Sequence, residues 1–415
     1  MIEYKKLGCG VGLVTQYEPD AQMACLGVFV GAGNCRETAE NSGVSHFIEH
    51  MFFKGTNTRN ALQLAQAADD LGAAINAYTG KEETVYYIKA LTGLFSQASE
   101  LLLDMLCNSV FDPAEIRREK GVVLEEMMMA EDTPDDIIID HLTDRVYYGT
   151  SLQRPVLGTR SSLRRLDRGT ILEYINTYYA KDNIVVAAVG NFDENRLVSQ
   201  LDEYLDGLAE KSPQRGEIRP SGVKRFRDIS RDVSQSHIAL GIPTVSVGSP
   251  DYYAQSIVLD VFGGSMSSRL FQTLREKLGL CYSVYSSPES FTDSGMMYIY
   301  SDVTQGKEKE AVDAIAGELE DLADKGISEE QIELVKRRLK SGYIFSLERI
   351  NGRMHVLGKN RLLLGRNYTP EENMAEIDAI TPKQVSDYIS MIADIHRYSA
   401  VSISKEKLDI RKLIG

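Results

Sequence analysis

Two of the six histidines in the chain fall in one pentad, His46-Phe47-Ile48-Glu49-His50. On a helix, side chains four apart lie ~40° apart in projection, so both imidazoles face one side and can bind the same ion. Glu49 stands beside them. A carboxylate three residues after the first imidazole and one before the second projects near the ion without having to ligate it, which is where a general base for metal-activated water belongs. The order is the inverse of H-E-x-x-H. A catalytic zinc takes three protein ligands and keeps one position open, so a third ligand is expected elsewhere. The stretch Arg118-Glu119-Lys120-Gly121-Val122-Val123-Leu124-Glu125-Glu126 offers it, because Glu119 and Glu126 are two turns apart on one helix face with Val122 and Val123 near them. Carboxylates in an apolar stripe need a partner, and a dication is a natural one. Glu125 is rotated by ~100° from Glu126 and is expected to face solvent or an arginine. The other histidines, His141, His237, His355 and His396, have no ligand-spaced partner and read as structural. Met127-Met128-Met129 reads as core filling at the end of the glutamate helix.

The elements that must position these groups follow from periodicity. Strands are expected from Val11 to Gln16 and from Gly27 to Val30, and a helix from Ala61 to Leu71 ended by Gly72 at the C′ position. Ile75 to Thr79 and Thr84 to Ala90 are β-branched and aromatic, joined as a hairpin through Gly80-Lys81. Asp112-Pro113-Ala114-Glu115 combines an N-cap, a proline at the first helical position and a glutamate at capping-box spacing, so the helix carrying Glu119 and Glu126 should start there and stop near Pro134. Asp182 to Gly190 reads as a buried strand. From Lys211 to Lys224, proline, glycine and charge accumulate without apolar period. Taking 213–224 as a linker leaves domains 1–212 and 225–415, which read as faint copies of one another. Gly72 precedes Tyr78-Thr79 as Gly279 precedes Tyr285-Ser286, and Ser42-Gly43-Val44-Ser45 has a counterpart in Gly263-Gly264-Ser265-Met266.

Composition closes several other routes. The 415 residues carry 46 Lys+Arg against 60 Asp+Glu, a net charge of −14, with 43% apolar residues, so the chain builds a sizeable core and is no disordered polyelectrolyte. No basic block exists to neutralise phosphates, which excludes a nucleic-acid partner. No apolar run approaches the roughly 18 residues of a membrane span, and the N-terminus lacks a signal core, so no membrane role and a cytoplasmic location are expected. Five scattered cysteines without C-x-x-C spacing fit free thiols in a reducing compartment.

The stretch Gly43-Val44-Ser45-His46-Phe47-Ile48-Glu49-His50-Met51-Phe52-Phe53-Lys54-Gly55-Thr56 closely resembles the active-site helix of the inverted zincins: pitrilysin, insulin-degrading enzyme and the mitochondrial processing peptidase. The resemblance covers nearly the whole chain and is densest in the short processing-peptidase-like branch. It implies an α+β fold of two homologous α/β-sandwich domains, each an antiparallel-rich sheet packed by helices. Glu126, 76 positions after His50 and seven after Glu119, matches the third zinc ligand of the family, and Glu119 matches the glutamate that orients the site. Asn76-Ala77-Tyr78-Thr79 matches the edge strand on which an extended substrate adds by main-chain pairing, and Glu82 the acidic position after it.

In the second half, Arg275 and Tyr282 match the Arg-Tyr pair of the family, of which the arginine holds the substrate backbone and the tyrosine stabilises the oxyanion. Read alone, Leu-Arg-Glu-Lys-Leu-Gly is ordinary helix vocabulary, and the pair could be a salt-bridged arginine and a packed aromatic. Where the first half has its pentad, Ser267, Ser268, Arg269, Leu270 and Phe271 offer no ligand, so one Zn2+ per chain is expected. The resemblance implies a zinc metalloendopeptidase acting on peptides or unfolded segments in a closed chamber. It also implies pairing with a second copy or a related subunit, with Arg275 and Tyr282 serving the partner's zinc; both signatures in one chain favour a homodimer. The rival readings are a non-catalytic subunit of the same fold and a catalytic subunit that needs a different partner.

Overall fold

The β-branched and apolar runs become strands of two sheets in the computed structural model, which describes residues 2–415. The first sheet holds β1 (Ile2–Lys6), β2 (Gly12–Tyr17), β3 (Met23–Val30), β4 (Ala74–Thr79), β5 (Thr84–Leu91) and β6 (Ile184–Gly190), in the order β1-β2-β6-β3-β5-β4. The second holds β7 (Phe226–Ser230), β8 (Ser236–Thr244), β9 (Val284–Ser290), β10 (Gly295–Val303) and β11 (Ser399–Ser404), in the order β7-β11-β8-β10-β9. With β1 set aside, the two sheets trace the same path. β2 pairs with β6 in parallel, as β7 does with β11, and every other pairing is antiparallel. The chain is a duplicated α+β fold. Gly72 and Gly279, at φ +55° and +60°, precede β4 and β9, so the repeated Gly-to-Tyr spacing marks the same turn in each half.

The helices that matter for the site are α1 (Val44–Met51), α2 (Ala61–Asp70), α3 (Phe95–Asn108), α4 (Pro113–Glu131) and α5 (Pro134–Val146). Element order corrects one expected correspondence. The first α-helix after β3 is α1, and the first after β8 is Tyr252–Gly263, so the latter, and not Ser267 to Phe271, holds the place of the pentad. The loop before α1 is longer than the loop before Tyr252, which shifts any alignment made on glycines. Tyr252–Gly263 contains neither histidine nor cysteine.

Two compact units result, but a single cut does not make them. The first comprises the chain up to Met127, Pro155–Gly216 and Tyr343–Thr369; the second comprises Met128–Arg154, Glu217–Gly342 and Pro370–Gly415. The expected boundary near 213–224 is crossed at Gly216, with no helix or strand from Leu205 to Phe226, yet two helical segments belong to the opposite unit. The reason lies in β6, which is buried throughout. Ile184, Val186 and Ala188 join the core that contains α1 and α3, whereas Val185, Ala187 and Val189 face Met354 and Leu357 of the helix Ile350–Leu364. A central strand apolar on both faces needs a cover on both, and the local chain supplies only one. Gly358 makes the second cover possible: a Cβ there would lie 2.1 Å from the Phe29 ring of β3. In the second unit α5 does the same for β8 and β11, with Leu142 lying over Gly241.

Among the described residues no helix is long and apolar enough to cross a membrane, and all five cysteines are free thiols.

Candidate metal centre

α1 is a short helix with glycine at its N-cap, so its first N–H groups need an outside acceptor. Glu37 supplies it: one carboxylate oxygen accepts from Gly43 N at 2.7 Å and the other from Ser45 N at 3.0 Å. Gly43 sits at φ +87°, and a Cβ there would meet the Leu157 carbonyl at 2.6 Å. Gly43→Ala is therefore expected to cost about 1–3 kcal/mol of stability, read as a lower urea midpoint; an unchanged midpoint would refute the strain. Phe47, Ile48 and Met51 are buried in the core, which leaves His46, Glu49 and His50 together on the other side of the helix.

α4 begins as its residues require. Asp112 accepts from Ala114 N at 2.6 Å and Glu115 N at 3.3 Å, and the Glu115 side chain turns to Arg118. Ile116, Glu119, Val123 and Met127 form its buried stripe, whereas Val122 and Glu125 are exposed. The apolar neighbourhood expected around the glutamates thus comes from Val123 and not Val122.

Glu119, 3% exposed, bridges two cations or donors: His50 Nδ1 at 2.8 Å and Lys54 Nζ at 2.7 Å. The Glu119 carboxylate accepts a hydrogen bond from Nδ1–H, which fixes the tautomer and leaves the Nε2 lone pair of His50 free. That nitrogen points at Glu126 Oε2, 3.5 Å away, and His46 Nε2 lies 3.8 Å from the same oxygen. Neither distance is a hydrogen bond, and Oε2 is buried with no hydrogen-bond partner. Such spacing matches ligands around one ion: bonds of ~2.0–2.1 Å in a tetrahedron put donor atoms ~3.3 Å apart. His46, His50 and Glu126 form the only three-residue set of this kind among the described residues. Burial and the neighbouring His50 ring push the His46 imidazole down to about 4, so it is neutral and able to bind a metal at pH 7. Glu49 is also largely buried, which raises its carboxyl above the usual range; Thr79 Oγ1, donating to Glu49 Oε2 at 2.5 Å, partly offsets this. The arrangement can hold a divalent cation and set a carboxylate beside it.

The other expected site residues fall out unevenly. β4 is the edge strand of its sheet, so Asn76, Ala77 and Tyr78 lie where an extended peptide could add. Gly80 N donates to the Glu83 carbonyl at 2.7 Å, and bonded pairs alternate along an antiparallel ladder. Tyr78 and Asn76 therefore spend their main-chain groups on Val85 and Tyr87, while Thr79, Ala77 and Ile75 turn theirs to the open edge. The Tyr78 ring packs on His355, 5.6 Å between centroids. The Ala77 N–H is held at 2.8 Å by the side-chain oxygen of Asn76, which masks an edge donor. Glu82 has another occupation than substrate contact: it is buried and pairs with Arg215 of the linker at 2.5 Å. Arg275 and Tyr282 belong to the second unit, where the guanidinium stands 4.6 Å from the Tyr282 ring and 4.7 Å from that of Phe271. Tyr282 is 68% exposed, although its N–H is anchored to Asp302 at 2.8 Å.

Three contributors escaped the sequence reading. Lys54 carries a readable signal, since it stands four after His50 and a buried carboxylate needs a cation. Thr79 was legible as part of the substrate edge, but not as the partner of Glu49. Glu37, capping α1 from outside it, leaves no local signal.

Residues 13–160 match the family model described as "Insulinase (Peptidase family M16)", and residues 165–339 match "Peptidase M16 inactive domain". A Bacillus subtilis protein named "Uncharacterized zinc protease YmxG" is 37% identical over 91% of this chain and 92% of its own length. A Mycobacterium bovis protein, "Uncharacterized zinc protease Mb2805c", is 34% identical over 98% and 95%. In fold, the chain is similar to a Pseudomonas fluorescens structure described as a peptidase M16 inactive domain, with a TM-score of 0.89 at 19% identity and 98% coverage of both chains. It is also similar to a protease from Helicobacter pylori, with a TM-score of 0.88 at 18% identity over 97% of this chain and 99% of that one. With relatives matched over more than nine-tenths of its length and the inverted histidine pentad on α1, the chain belongs to peptidase family M16, the insulinase family.

Proposed function

We propose that the chain is a zinc-dependent metalloendopeptidase with one Zn2+ held by His46, His50 and Glu126. The observation that carries this reading is the buried, unpartnered Glu126 Oε2 facing two imidazole nitrogens, with Glu49 on the same helix face. Zinc bound there would supply Lewis acidity, polarising a scissile carbonyl and acidifying water. The residues of the chain do the rest. Glu49 takes the proton of the attacking water and returns it to the leaving amine nitrogen. Glu119, paired with Lys54, keeps His50 in the tautomer that presents Nε2. The substrate is a peptide or unfolded segment lying as a strand along β4, whose outward main-chain groups at Ile75, Ala77 and Thr79 are unclaimed by β5.

The second unit has no metal set of its own, and its exposed Tyr282 and stacked Arg275 are suited to a substrate backbone and an oxyanion. The working particle is a homodimer enclosing the peptide, with Arg275 and Tyr282 acting at the zinc of the partner subunit. Five free thiols fit the cytoplasm. Complementation tests the arrangement. Glu49→Gln and Arg275→Ala proteins, each inactive on a quenched unstructured peptide and each dimeric by mass, should regain activity when unfolded together and refolded as a mixture. No recovery in mixed dimers would place both residues in one chain's site.

A further inference from the structure

Resting on that reading, we propose that Thr79 is a positioning residue that ties the general base to the edge where the substrate is received. Thr79 has two outward commitments. Its hydroxyl donates to Glu49 Oε2 at 2.5 Å. Its own N–H and C=O face the open edge of β4, because the bonded pair at Gly80 and Glu83 sets the phase of the ladder. No other β4 residue has both. Ala77 shares the outward main chain but has no polar side chain, and Tyr78 is turned to β5 and His355.

Two consequences follow. A carboxylate on a side chain with three rotatable bonds is a poor base unless one oxygen is pinned. The Thr79 bond pins Oε2 and leaves Oε1 for the proton. A peptide strand that pairs with the Thr79 main chain also fixes the residue holding the base, so substrate seating and base orientation pass through one side chain. The Thr79 hydroxyl is hydrogen-bonded to the base, whereas the Nδ1 of His50 is bonded to Glu119, so loss of the hydroxyl should affect turnover and not metal.

The test uses zinc-loaded protein and the quenched peptide. Thr79→Val keeps the shape and strand preference and removes the hydroxyl. Its kcat should fall about 10–100-fold, with KM and zinc content unchanged, and Thr79→Ser should restore most of the loss. An undiminished kcat in Thr79→Val, a loss carried by KM alone, or equal loss in Thr79→Ser would overturn the proposal. A crystal structure of the metal-free Thr79→Val protein gives an independent readout: the Glu49 carboxylate should leave its place beside residue 79, and an unmoved carboxylate would also overturn it. Cleavage by Glu49→Gln would instead defeat the reading of the site, while the crystallographic outcome would still decide what Thr79 does.

Discussion

Glu49→Gln should keep its zinc and lose peptide cleavage by about 10²–10⁴-fold, the range that a positioned general base contributes. Glutamine preserves the size of the side chain and can still accept the Thr79 hydroxyl, so α1 and the ligand set should stand. What it cannot do is take a proton from water. Steady-state kcat/KM and metal analysis on the same preparation check both halves. Cleavage at the wild-type rate would remove Glu49 from its role.

The second large effect separates two adjacent carboxylates. Glu126→Gln should lose zinc on dialysis against a mild chelator, and Glu125→Gln should keep it. Glu126 Oε2 lies within 4 Å of both imidazole nitrogens and is buried without a hydrogen bond, whereas Glu125 is exposed one position away. Removing one of three protein ligands should exceed the ~10–100-fold loss of affinity typical of an outer partner. Glu119→Gln belongs to that milder class: it weakens the hydrogen bond to His50 Nδ1 and leaves Lys54 without its counter-charge. Competition against a chromogenic zinc chelator would rank the three proteins. Glu125→Gln losing metal while Glu126→Gln retains it would shift the ligand by one residue.

Chemistry at short range was legible in the sequence. The His46, Glu49 and His50 spacing needs only the pitch of a helix, and the face shared by Glu119 and Glu126 needs only two turns of another. The hairpin through Gly80-Lys81 and the start of α4 at Pro113 followed from turn and cap residues, because these signals act within four residues of where they stand. The strand order also left its mark as a repeat, through Gly72 and Gly279. What stayed hidden is set by partners distant along the chain. The run Ile184 to Gly190 says that both faces of β6 are covered, yet nothing in it names Met354 and Leu357 as the cover. Glu82 reads as an acidic residue beside a substrate edge until Arg215, 133 positions on, is seen to claim it. Tyr78 reads as part of the same edge, and only the ladder phase and His355 show that its groups point elsewhere.

In the proposed enzyme, peptide cleavage depends on a zinc ion held by His46, His50 and Glu126. The most direct measurement follows hydrolysis of one quenched, unstructured peptide by the purified chain as isolated, after removal of metal with a chelator, and after return of one equivalent of zinc. Cleavage should disappear with the metal and come back with it. Cleavage that survives complete removal of zinc, or a zinc-loaded dimer that cuts no peptide, would rule out a zinc peptidase.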